Sequence, residues 1–183
     1  MRMSRAEKKA NDTLQREMVK QVNIVYSAAA IAMWLHYGWR QQRILGVLEE
    51  TGKIWNTCAM DPNTSMLMML EAETGIEIRA RGVEKSYHEL DFLNGTPADA
   101  HPMELAEFVY MRKRQIPWVN PQITGALLLA LHRKYGWSGE RDKRLLGYKD
   151  GIEEQYKWKA NRLVKACNEM TGINIVQEVN RHE

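Results

Sequence analysis

The stretch "AAAIAMWLHYGW", Ala28–Trp39, reads as the end of an apolar helix halted by a glycine. Its last five residues, "LHYGW", return near the other end of the chain as "LHRKYGW", Leu131–Trp137. The longer surroundings return too. "RILG" at 43–46 is answered by "RLLG" at 144–147, and "TGIEI" at 74–78 by "TGINI" at 171–175. Four landmarks recur in the same order, with spacings that drift between 96 and 101 residues, as short loop insertions produce. A fixed-period echo of this kind marks a repeated architectural unit.

Each copy carries one helix grammar. An apolar helix ends at Tyr37 or Tyr135, and Gly38 or Gly136 is free to take the left-handed position after the last turn. A second, amphipathic helix carries Ile44, Leu45 and Leu48 in the first copy, and Leu145 and Leu146 in the second. In the first copy a third helix starts at Asp61-Pro62, carries Met66, Leu67, Met69 and Leu70, and stops at Gly75. In the second copy Leu163, Val164 and Cys167 form the apolar face and Gly172 the stop. Ile76 and Ile173 then stand where a Schellman motif places its hydrophobic contact. The alternating tails "IEIR" and "INIVQEV" suggest short strands. The expected fold is mainly α: a tandem duplication of a three-helix unit, with short strands after each third helix. The expected segments are a charged N-terminal helix (1–22), a first repeat (23–78), a connecting insert (79–120) and a second repeat (121–178). The insert turns at Asn94-Gly95 and is expected to be helical from Pro102 to Gln115. Asn120-Pro121 is expected to cap and open the second repeat.

At 183 residues, 44% of them hydrophobic, the chain can bury a core without metals or disulfides. Cys58 and Cys167 stand far apart and in no CxxC pair, which fits free thiols in a reducing cytosol. The N-terminus is charged. The apolar run to Tyr37, about 16 residues, is shorter than the ~20 a membrane span needs. These features point to a buried core helix in a soluble, cytoplasmic protein, with no membrane partner. The formal charge of +3 permits contact with nucleic acid without demanding it.

Catalytic patterns are missing. The chain contains no GxGxxG, GxxxxGK[ST] or GxSxG. His36 and His132 sit beside apolar helices with no adjacent metal-binding partner, which favours a structural or capping role. His88, Glu89, Asp91, Asp99, His101 and Glu104 in the insert are the best place for a metal, yet their spacing matches no ligand motif. No enzyme activity, cofactor or metal is expected. The remaining signal is basic residues set beside tryptophans. Arg40 and Arg43 flank Trp39. Arg112, Lys113 and Arg114 precede Trp118. Arg141, Lys143 and Arg144 follow Trp137. Arginine and lysine neutralise phosphates, and Trp and Arg are the usual anchors of interfaces. Trp39, Arg40, Arg43, Arg112, Lys113, Arg114, Trp137, Arg141, Lys143 and Arg144 are therefore the candidate partner-binding or nucleic-acid-binding residues.

The apolar helix, "LH…GW", the "R[IL]LG" helix and the closing "ETGI.I" or "MTGI.I" together resemble small duplicated helical proteins of Firmicutes phages and mobile elements. Within that group a duplicated chain of this length is most similar to the type II-A anti-CRISPR proteins. The resemblance covers both copies and leaves out the leader and the insert. It implies a non-enzymatic inhibitor that binds the guide-RNA-loaded nuclease of type II CRISPR systems and hinders target engagement or cleavage. The matching residues are scaffold residues, so the resemblance carries no inhibitory surface with it. The mildly basic charge speaks against acidic mimicry of DNA. A regulator that binds double-stranded DNA is the competing reading, since a helical duplicate places two helices on one duplex. A duplicate also replaces a dimer or builds one, so both monomer and homodimer are open.

Overall fold

Between Arg5 and Tyr37 the chain contains neither proline nor glycine, and it forms one unbroken helix of 33 residues, α1. The computed structural model describes residues 5–60, 66–81 and 115–175. The expected charged leader is thus no separate element. Leu14, Met18 and Val22 carry its apolar stripe directly into the core stretch 24–33, which is buried almost all round. By length and composition α1 could cross a membrane, and more than half of its most apolar stretch is buried inside the fold.

The other elements are α2 (Gln41–Met60), α3 (Met66–Thr74), a 3-10 turn (Ile116–Trp118), α4 (Val119–Tyr135), α5 (Gly139–Gln155) and α6 (Ala160–Thr171). The molecule is mainly helical, and no strand occurs among the described residues. The tails expected as strands do alternate: Ile76 and Ala80 are buried while Glu77 and Arg79 are exposed, and Ile173 and Ile175 are buried around Asn174. The alternation marks an irregular segment lying on helices. No neighbouring strand is there among the described residues to form a ladder. Residues 176–179 of the second tail, the Asp61-Pro62 helix start, Asn94-Gly95 and the 102–114 part of the expected insert helix lie outside the described residues. Asn120 is not an N-cap. The 3-10 turn runs straight into α4, and Asn120 sits inside the first turn. There its Nδ2 donates to Gln21 Oε1 at 3.1 Å, tying α4 to α1.

The glycine stops are as expected. Gly38, Gly75, Gly136 and Gly172 take φ of 63°, 70°, 61° and 73°. After α1 the Trp39 N–H reaches back to Met33 O (3.2 Å), and after α4 the Trp137 N–H reaches Leu131 O (3.4 Å). The "TGI" endings share a different device. Thr74 Oγ1 donates to Leu70 O and accepts from the Ile76 N–H; Thr171 Oγ1 does the same between Cys167 O and the Ile173 N–H. Each threonine thereby satisfies helix-end groups that would otherwise be orphaned, and it drops the isoleucine into the core.

The packing is crossed. α1 lies mainly against α5 and α6, α4 lies against α2 and α3, and α1 and α4 touch each other. Each long apolar helix therefore covers the second and third helices of the opposite half, around one continuous core. Gly125 permits the closest approach: a Cβ there would stand 3.1 Å from Leu67 Cδ2.

α2 and α5 begin 98 residues apart, and their inward positions match at that spacing. Ile44, Val47, Leu48, Thr51 and Ile54 correspond to Asp142, Leu145, Leu146, Lys149 and Ile152. At that spacing Arg43 is matched by Arg141, whereas the "RILG"/"RLLG" echo, 101 residues apart, matches it with Arg144. The buried face of α5 also holds charge: Lys149 Nζ pairs with Glu153 Oε1 at 2.9 Å, both side chains at most 5% exposed, and with Asp150 at 2.8 Å.

Candidate functional site: a cationic, aromatic-floored groove

Crossed packing brings the end of α1 and the starts of α2 and α5 to one end of the molecule. A groove of about 530 Å³ opens there, lined by His36, Tyr37, Trp39, Arg43, Trp137, Arg141 and Arg144. Its floor is a ring cluster. Trp39 and Trp137 meet edge to face at 5.3 Å. Tyr37 of one half packs on Trp137 of the other at 4.8 Å, and Trp39 packs on Tyr135 at 5.1 Å. The two contacts are reciprocal, as the equal spacings of Tyr37 to Tyr135 and Trp39 to Trp137 allow. Such offset and tilted contacts each add roughly 0.5–1.5 kcal/mol beyond burial.

The rim is basic. The Arg43 guanidinium lies 3.9 Å from the Trp39 ring centre and 4.9 Å from that of Tyr135, so cation–π contact holds it in place. The Arg144 Nε–H donates to Glu140 O, and Tyr37 Oη donates to Arg141 O at 3.3 Å, fixing the start of α5 against the end of α1. No carboxylate among the described residues lines the groove. Among the described residues Arg43, Arg141 and Arg144 form no ion pair, whereas Arg133 pairs with Glu73, Lys143 with Glu140 and Lys165 with Glu169. Three guanidiniums over a hydrophobic floor have the donor geometry and charge that suit phosphate or carboxylate oxygens.

Beside the groove, His36 and Tyr148 stack in parallel, ring centres 3.7 Å apart and planes 4° apart. Below it, Asp142 is fully buried and neither carboxylate oxygen has a hydrogen-bond partner. Burial pushes its pKa up to about 6, against an opposing pull from His132. His132 holds Nδ1 2.7 Å from Trp137 O, so that nitrogen carries the proton. Burial also raises the Tyr37 hydroxyl, with Arg144 opposing.

Of the residues expected to bind, Trp39, Arg43, Trp137, Arg141 and Arg144 converge here. Trp39 and Trp137 are only 7% and 3% exposed, so they support the site from beneath and are not surface anchors. Arg40 lies nearby over the Trp34 ring at 5.4 Å, and Lys143 is engaged by Glu140. Arg112, Lys113 and Arg114 lie outside the described residues, as do His88, Glu89, Asp91, Asp99, His101 and Glu104. Among the described residues no group of three or more His, Cys, Asp or Glu could hold a metal. The sequence places neither Tyr37 nor Tyr148 at the site, and it gives His36 a structural or capping role. Tyr37 had a signal, since it belongs to the repeated phrase. Tyr148 had none.

Fold and groove together describe a mainly helical protein with a cationic, aromatic-floored groove at one end. No protein-family model, curated protein or solved structure matches the chain.

Proposed function

We propose that this chain is a non-enzymatic binding protein whose groove engages phosphate on a nucleoprotein target, and that the target is the guide-RNA-loaded nuclease of a type II-A CRISPR system. The observation that carries the phosphate part is the trio Arg43, Arg141 and Arg144, converging without a carboxylate in the groove. The choice of target rests on the resemblance of the two "LH…GW" halves to type II-A anti-CRISPR proteins. A stoichiometric inhibitor needs a rigid body and a fixed charge pattern, and a guide-loaded nuclease exposes RNA and DNA backbone for such a pattern to grip. The setting that goes with this reading is the bacterial cytoplasm.

We also read the two halves as copies of one ancestral unit. Support comes from the paired left-handed glycines, the paired threonine bridges, the common inward positions of α2 and α5, and the reciprocal packing of α1 and α4. That reciprocity favours one second reading, a regulator of double-stranded DNA, because it sets Arg43 and Arg141 at corresponding positions of the two halves.

A cleavage titration separates the readings. Guide-loaded type II nuclease is mixed with target DNA and increasing amounts of this protein. Inhibition saturating near equimolar protein, and weakened at least tenfold by the Arg141→Ala, Arg144→Ala double variant, supports the inhibitor. Absence of inhibition across several orthologues, with sequence-selective binding of duplex DNA by the protein alone, overturns it in favour of the regulator. Each phosphate contact should also steepen the salt dependence by about one unit of slope.

A further inference from the structure

Proteins that hold single-stranded nucleic acid combine two things: a basic track for the backbone and aromatic faces on which unpaired bases stack. Both meet on one stripe of α5. Arg141, Arg144 and Tyr148 follow at steps of three and four residues, so they lie along a single helix face. The end of α1 completes the stripe with His36, whose ring lies flat on Tyr148. Tyr148 is 38% exposed although it is stacked, and His36 is exposed as well. Tyr37 approaches Tyr148 edge-on at 6.3 Å and fixes the stack from the groove side.

We infer that the groove takes single-stranded nucleic acid, a base adding to the exposed His36–Tyr148 stack while Arg141 and Arg144 hold the adjoining phosphates. The inference rests on the phosphate-binding reading above and narrows it. A duplex keeps its bases stacked inside and offers a concave site only its backbone, so the rings would have nothing to stack on. A volume of about 530 Å³ lies in the range of clefts that enclose one small ligand, ~300–1,000 Å³, and suits a single extruded nucleotide. Arg43, already committed to Trp39 and Tyr135, adds charge from the far wall without having to move.

The test is fluorescence anisotropy at low salt with the full chain. The probes are an oligothymidylate and an oligouridylate of about 15 nucleotides each, and a mixed-sequence DNA duplex of the same length. Wild-type protein should bind at least one single strand about tenfold more tightly than the duplex. The two single-strand arms show whether DNA or RNA is preferred. Tyr148→Ala should lose about tenfold on the single strand, the scale of one lost stacking contact, and leave duplex binding unchanged. Tyr148→Phe should restore the loss. Tyr148→Leu, which retains packing against His36, covers the case in which the alanine variant misfolds; it should bind as weakly as the alanine variant. Equal or tighter duplex binding, together with wild-type affinity in Tyr148→Leu, overturns the inference and leaves the phosphate-binding reading standing. Failure of the wild type to bind any of the three probes overturns both.

Discussion

Asp142 is the residue whose chemistry departs most from its surroundings. The corresponding position in the first half is Ile44, fully buried; here a carboxylate is equally buried, with no partner for either oxygen. Its folded pKa of about 6 stands above the ordinary 3.8. The folded state therefore holds the proton more tightly than the unfolded chain. Its contribution is favourable below about pH 4, is lost as pH rises toward 6, and stays lost above. A shift of about two pH units corresponds to roughly 3 kcal/mol at most. Asp142→Asn should flatten the stability profile between pH 4 and 6.5 and be more stable than wild type at pH 7.5 by about 1–3 kcal/mol. Urea denaturation at several pH values measures both. An unchanged slope would mean that the carboxylate finds a partner in solution.

Among the elements, α5 carries the sharpest contrast with its counterpart. Where α2 has Thr51 and Trp55, α5 has Lys149 and Glu153, a buried ion pair. Removing one partner from a buried pair strands the other, at about 3–5 kcal/mol. Lys149→Thr strands Glu153 and should cost that much, measured by thermal or urea unfolding, whereas Glu153→Ala leaves Lys149 paired with Asp150 and should cost less. Lys149→Thr with Glu153→Ala should recover at least half of it, because no buried charge is left alone. A double variant as unstable as Lys149→Thr alone would show that packing, and not charge, is what Lys149 supplies. The elements also show which parts of the sequence could be read. Helix stops were legible because a glycine at positive φ is a local necessity, met at Gly38, Gly75, Gly136 and Gly172. The match of α5 to α2 is ambiguous in the sequence because a slip of three residues is nearly one helical turn and keeps the same face inward. The burial of Asp142 and Lys149, which the residue types do not announce, is what favours the spacing of 98. The leader was cut from α1 because composition changes near residue 22 while the backbone does not. At the groove, arginines and tryptophans were legible by type. The meeting of His36 with Tyr148, more than a hundred residues apart, depends on α1 lying across α5, and no local pattern encodes it.

For the whole molecule, crossed packing means that neither half owns its own core. α1 is covered by α5 and α6, and α4 by α2 and α3. Unfolding should thus be a single cooperative transition, with tryptophan fluorescence and far-ultraviolet circular dichroism tracing the same curve. Two separated transitions would mean that the halves are stable apart. The same crossing sets a schedule for synthesis. The apolar stretch 24–33 leaves the ribosome long before α5 exists, and about a hundred residues must be added before its cover arrives. At about 5–20 residues per second that interval is on the order of 5–20 seconds. For that time a helix apolar enough for a membrane is without its principal cover, so the newborn chain depends on whatever chaperone reaches it first.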